Sequence, residues 1–150
     1  MNTKIQNQIN NILGSGFNVP HIFQEILKHD KLDFFDKDTL KQIIYLERSY
    51  SEDHRKKDVF EPATLLLVTT LGLIYVTEGK DDIDFRYGGY KLQFIPFHSI
   101  NYVTLDSIML AGKFTILVNN KEITLEFNRA HYFEDFIDLT LFVKNKIVES

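Results

Sequence analysis

The chain has 150 residues, of which 44% are hydrophobic and 25% are charged, and its formal net charge at pH 7 is −4. This composition is typical of one compact globular domain and excludes the fibrous, low-complexity and disordered classes. Because the sequence has no cysteine, disulfides, cysteine-ligated zinc and thiol chemistry are excluded as well. The acidic balance disfavours a general binder of nucleic acid or of anionic membranes.

Export and membrane signals are weak. The N-terminal stretch MNTKIQNQINNIL has no continuous apolar centre, so a signal peptide is not expected. The most apolar run, residues 63–76, has 14 residues, whereas a spanning helix needs about 20. Thr69, Thr70 and Gly72 interrupt this run, which favours a pair of core strands. A cytoplasmic location is therefore expected.

Residues 1–41 are predicted to contain two amphipathic helices. The apolar stripe of the first helix consists of Ile5, Ile9, Ile12 and Leu13, and Gly14 follows it. The stripe of the second helix, which begins near Pro20, consists of Ile22, Phe23, Ile26 and Leu27. Burying each such side chain is worth about 1.5–3 kcal/mol. The helices must therefore dock in cis on a sheet or join two protomers, and a homodimer is favoured.

From residue 42 onward the pattern is that of strands. Residues 42–50 fit either a strand or a helical face, and a strand is favoured. Further strands are predicted at 63–70, 73–78, 90–97, 100–105, 114–118 and 123–127, where β-branched and alternating apolar residues are frequent. Pro96 indicates an edge or a bend. Asn119 and Asn120 are expected to form a two-residue turn, because asparagine tolerates positive φ.

The chain is predicted to close with a helix. Asn128 is expected to cap it, and Phe127 to pack on Tyr132 as a hydrophobic staple. The predicted apolar face of the helix consists of Phe133, Phe136, Ile137, Leu141 and Ile147. A helix with such a face must dock on an apolar surface.

Three stretches resemble a known family: LLLVTTLGLIYVTEG (65–79), FIPFHSINYV (94–103) and the hairpin at 112–127. They are similar to the bacterial pleckstrin-homology-like (PH-like) family related to YokE-type and GRAM domains. The resemblance implies an α+β fold in which a bent seven-stranded sheet forms a partly open barrel capped by the C-terminal helix. It assigns residues 42–150 to the PH-like domain and leaves 1–41 as an N-terminal helical extension.

PH-like folds are in general binding scaffolds for lipids, peptides or proteins. The resemblance therefore implies a non-catalytic interaction module that binds a protein partner or self-associates. The alternative is a peripheral binder of anionic lipid or a phosphoinositide-type ligand through the loop at residues 51–58. Its candidate ligand-binding residues are Arg55, Lys56 and Lys57. Three acidic residues lie in the same loop, so a solvated loop with local ion pairs is favoured.

A second candidate site follows the acidic run at residues 80–84, which lacks the spacing of an EF-hand and indicates a solvated loop. Its members are Phe85, Arg86, Tyr87 and Tyr90, which flank two glycines. Aromatic side chains beside glycines can form an adaptable partner-binding loop. The alternative is that these rings fold back over the mouth of the barrel.

No catalytic, cofactor or metal site is predicted. The histidines are His21, His29, His54, His98 and His131, and their spacing does not match a zinc motif. The sequence also lacks the GxSxG, P-loop and GxGxxG motifs. An enzyme is therefore not expected.

Overall fold

A computed structural model describes residues 3–14, 19–28, 39–47, 49–50, 60–79 and 90–149. Its helices are α1 (Thr3–Leu13), α2 (His21–Lys28) and α3 (Arg129–Glu149). Its strands are β1 (Leu40–Leu46), β2 (Ser49–Tyr50), β3 (Phe60–Glu61), β4 (Thr64–Thr69), β5 (Gly72–Glu78), β6 (Tyr90–Pro96), β7 (Ile100–Ile108), β8 (Ala111–Val118) and β9 (Lys121–Asn128). One 3₁₀ turn, Phe97–Ser99, follows β6.

The strands lie in three sheets, with the orders β1-β4-β5-β6, β2-β3 and β7-β8-β9. This is an α+β fold, as predicted. The single seven-stranded barrel is wrong for the described residues, which form separate sheets of four and three strands and a short ribbon. The break falls after Pro96, where proline has no N–H for a ladder and the 3₁₀ turn begins.

The residues cluster into two compact units, each interrupted in sequence. The first unit comprises Met1–Thr70 and Ile74–Phe94, and the second comprises Leu71–Leu73 and Ile95–Ser150. No helix in the described part of the chain is long and apolar enough to cross a membrane.

In the first unit, α1 and α2 pack on the sheet of β1, β4 and β5. The helices and the segment between them contribute Ile5, Ile9, Val19, Phe23, Ile26 and Leu27 to the shared core. The strands and the residue before β4 contribute Leu40, Ile43, Ala63, Leu65, Leu67, Ile74 and Val76. The predicted docking in cis is therefore confirmed. Burial of these stripes therefore does not require a second protomer, and the homodimer stays a prediction.

Local sequence explains where α2 begins. The Pro20 carbonyl accepts hydrogen bonds from the backbone N–H groups of Phe23 (3.0 Å) and Gln24 (3.2 Å). The Gln24 side chain donates to the Val19 carbonyl at 3.0 Å. The ring of Phe23 then meets Tyr45 edge-on, with 6.0 Å between the ring centroids. The predicted strand at 42–50 is confirmed as β1 followed by β2.

In the second unit, α3 packs on the sheet of β7, β8 and β9. Phe136 is fully buried, stacks on Phe127 with 4.0 Å between centroids and lies 5.6 Å from Phe114. Gly112 makes room for this cluster, because a Cβ there would overlap the Phe127 ring. The predicted cap is confirmed, since the Asn128 side chain accepts the Ala130 N–H at 2.9 Å.

The predicted apolar face of α3 is only partly correct. The residues of α3 that are buried are Phe136, Leu139 and Val143, whereas Leu141 is 51% exposed. Leu141 lies five positions after Phe136, so its side chain points about 140° away from that of Phe136 around the helix axis. Leu139 and Val143 stay near Phe136 because they follow it at i+3 and i+7.

Candidate functional site

Most of the sequence-predicted site residues lie outside the described part of the chain. This applies to the loop at 51–58 with Arg55, Lys56 and Lys57, to the run at 80–84, and to Phe85, Arg86 and Tyr87. Tyr90 is described, begins β6 and is 53% exposed. Both candidate sites therefore stay predictions.

The described histidines lie at exposed positions. They are His21, His98 and His131, and His21 Nε2 lies 3.4 Å from a Glu25 carboxylate oxygen on the same helix. Among the residues that the structure describes, no group of three or more side chains of the kinds that bind metals is placed to hold an ion.

Glu78 is a buried carboxylate that is hydrogen-bonded to the backbone of Ala63. It is 6% exposed and accepts a hydrogen bond from the Ala63 backbone N–H at 2.9 Å. Its own backbone N–H donates to the Ala63 carbonyl at 3.2 Å. The carboxylate thus satisfies the backbone at the entry to β4, as a buried polar group must.

The most exposed apolar surface among the described residues is the turn between β7 and β8. Ile108, Met109 and Leu110 are 75%, 85% and 77% exposed. We call these three residues the apolar tip. Isolated exposed apolar residues are ordinary in globular proteins, but three in succession at the end of a hairpin are not isolated, which makes this turn a candidate interaction site.

The backbone of the apolar tip departs from ordinary turn chemistry. Met109 has a φ of 57°, a conformation that glycine or asparagine adopts at least cost. The next hairpin of the same sheet follows the rule, because its turn residues Asn119 and Asn120 have φ of 50° and 68°. One sheet therefore contains two turns of equal length, and only the exposed apolar one has a residue type unsuited to its conformation. Deviations of this kind cluster at functional sites.

Arg129, the first residue of α3, holds the apolar tip in place. Its backbone N–H donates to the Leu110 carbonyl at 2.8 Å, and its Nη1 donates to the Met109 carbonyl at 3.5 Å. The guanidinium also lies 4.7 Å from the centre of the Phe133 ring, in cation–π contact. A cation is unfavourable at the N-terminus of a helix, so these contacts are what favours arginine at this position.

A cavity of about 360 Å³ lies beside the apolar tip. Ile108, Ala111 and Gly112 line it together with Ser107 and three charged side chains. The charged side chains are Asp106, Lys113 and Glu126, which are neighbours across β7, β8 and β9 in the strand register. The site thus places an apolar projection next to a recess with charges of both signs.

Cross-strand pairs further along the same sheet are polar. The Tyr102 hydroxyl donates to a Glu122 carboxylate oxygen at 2.6 Å, and this hydrogen bond is the main reason why the pKa of Tyr102 is raised. The hydroxyls of Thr115 and Thr124 lie 3.2 Å apart. These contacts join the three strands across one face and stabilise the hairpins that present the apolar tip.

Sequence analysis did not identify the apolar tip, although a signal was present. The predicted strands ended at residue 105 and resumed at 114, and the stretch between them, DSIMLAGK, has apolar residues where a turn normally has Asn, Asp, Gly or Pro. In comparisons with family models, with curated proteins and with solved structures, nothing matches the chain.

Proposed function

We propose that this chain is a non-catalytic, cytoplasmic, PH-like interaction module that binds a protein partner or self-associates, and that the apolar tip is its contact surface. One observation supports the choice of surface above the others. Three consecutive apolar side chains, each at least 75% exposed, stand at the end of a hairpin held by Arg129.

The order of the elements supports the PH-like part of this proposal. Four strands form one sheet and the next three form another, and a helix follows directly after the last strand. Seven strands of six residues or more, followed by a terminal helix, is the element order that the sequence resemblance implies. α1 and α2 are an addition to that order, and they pack on the first sheet.

The energetics of the apolar tip suit a protein contact. Burial of three such side chains is worth about 4–9 kcal/mol before costs, while association costs about 4–15 kcal/mol. The apolar tip can therefore anchor a complex but needs further contacts, which the neighbouring cavity can offer. Because Arg129 already fixes the backbone of the apolar tip, little conformational entropy is lost when the tip binds a partner.

A photo-crosslinking experiment tests this proposal. A benzophenone amino acid replaces Leu110 in the full-length chain, and a matched variant has it at Asn119, in the other turn of the sheet. We expect discrete protein adducts from position 110 and few from position 119. An excess of the unlabelled chain should compete with the adducts, whereas an excess of the Met109→Asp chain should not.

Two results would count against the proposal. Equal adducts from positions 110 and 119 would show that the apolar tip has no preferred partner. Tip-dependent flotation with vesicles, in the absence of protein adducts, would favour a lipid surface instead.

A further inference from the structure

The apolar tip and the cavity beside it lie side by side on one hairpin and share a residue. Ile108 belongs to the apolar tip and also lines the cavity. In a closed two-fold dimer, the same patch of each copy meets itself, so it must contain both a projection and a recess. This hairpin has both.

We infer that the partner of the apolar tip is a second copy of this chain, related by a two-fold axis, with Met109 of each copy seated in the cavity of the other. The inference rests on the proposed function and names the partner. The cavity volume of about 360 Å³ is more than twice that of an apolar cavity that accepts benzene, about 150 Å³. It therefore has room for the unbranched side chain of a methionine, which adapts its shape to irregular recesses.

The charges around the site also favour a second copy. Asp106 and Glu126 lie at the cavity with Lys113, and Arg129 lies at the base of the apolar tip. Two anions and two cations balance, so the patch has no net charge to attract an anionic membrane or a strongly basic partner. A copy of the same patch has both signs available, and a two-fold axis can place cations opposite carboxylates.

The expected dimer is weak. A contact confined to one hairpin end per copy falls in the class of small interfaces, below about 1,200 Å², which is typical of transient complexes. The dissociation constant should therefore lie in the micromolar range or above, and the dimer should appear as protein concentration rises.

Analytical ultracentrifugation of the full-length chain from about 5 to 500 µM tests the inference. We expect the mass to rise from 17.6 kDa towards twice that value. Met109→Asp should hold the mass near 17.6 kDa, because it removes the apolar side chain that fills the recess and places a third carboxylate beside Asp106 and Glu126. Asn119→Asp adds the same charge at the other turn and should behave as the unmodified chain. A thermal melt of each variant checks that it is folded.

A cysteine experiment tests the two-fold arrangement without disturbing the charge. The chain has no cysteine of its own, so single cysteines report one contact each. A mixture of Met109→Cys and Ala111→Cys chains should form a mixed disulfide, because residue 109 of one copy would lie beside residue 111 of the other. A mixture of Asn119→Cys and Ala111→Cys chains should form at least tenfold less of the mixed disulfide.

A constant mass of 17.6 kDa over the whole concentration range, or equal disulfide yields in the two mixtures, would overturn the inference. Competed adducts of another protein at position 110 would then leave the proposed function in place, with a different partner. The absence of such adducts would contradict both the dimer inference and the proposed function.

Discussion

Met109 places a large apolar side chain at a backbone conformation that most residues avoid. Its φ of 57° costs a residue other than glycine about 1–2 kcal/mol, and its side chain gains little from packing because it is 85% exposed. The same residue is thus expected to reduce stability and to support binding.

Replacing Met109 with glycine should separate these two effects. Relief of the positive φ outweighs the entropy that glycine loses on folding, about 0.5–1 kcal/mol, so Met109→Gly should raise the free energy of unfolding by about 1 kcal/mol or less. The same substitution should also abolish the increase of mass with protein concentration, because it removes the side chain that joins the two copies. Urea denaturation measures the first effect, and Asn119→Gly is the control that should change neither. A loss of stability in Met109→Gly would show that the turn is not strained.

Phe136 is the residue on which the core of the second unit depends. It is fully buried and stacks on Phe127, so Phe136→Ala should cost roughly 3–5 kcal/mol of unfolding free energy. Leu141→Ala, on the exposed side of the same helix, should cost under about 0.5 kcal/mol. Similar unfolding midpoints for the two variants would contradict the assigned face of α3.

Tyr102 should titrate at higher pH than an ordinary tyrosine. Its hydroxyl donates to Glu122, and this raises the pKa above the usual 10.0. The hydrogen bond therefore stabilises the folded state fully below pH 10.0, and its contribution is lost as the pH rises through the folded pKa. NMR detection of the ring carbon that bears the hydroxyl should show the high pKa, and Glu122→Gln should lower it. An unchanged pKa in that variant would assign the shift to another cause.

Among the elements, those with a local signal were predicted from the sequence and those without one were not. Asn119 and Asn120 marked the turn between β8 and β9, because their side chains tolerate the positive φ that the turn needs. Met109 and Leu110 have no such preference, so pairing between β7 and β8 must impose that turn. Apolar residues occur on several sides of α3, and spacing alone therefore could not show that Leu141 faces outward.

α1 offers a test of packing at the level of an element. It buries Ile5 and Ile9 on the first sheet, and these two side chains alone account for about 3–6 kcal/mol. Deletion of residues 1–16 should therefore lower the thermal midpoint and expose an apolar sheet face that binds a hydrophobic dye. A double substitution, Gln6→Ala with Asn10→Ala, alters only exposed positions of α1 and should leave the midpoint unchanged. A deleted chain as stable as the full one would show that α1 adds nothing to the core.

At the scale of the whole molecule, charge disfavours anionic membranes. The net charge is −4, and three acidic residues accompany Arg55, Lys56 and Lys57 in their loop. At physiological salt, vesicles containing phosphatidylserine should not retain the chain, and the triple alanine variant at these positions should sediment like the unmodified chain. Neutral phosphatidylcholine vesicles are the control. Retention that the triple variant loses would support the lipid alternative.

The two outer strands of the three-stranded sheet have one consequence for solubility. Neither β7 nor β9 has a second pairing strand within the described residues, and unpaired strand edges promote aggregation. β7 has an irregular register between Ile100 and Tyr102, whereas β9 is regular and has Glu122 and Glu126 exposed along it. Irregularity and charge are two ways in which natural edges avoid further pairing. The protection of β9 depends on these two charged side chains, so a chain with uncharged residues at both positions should have a regular edge that is open to fibril growth.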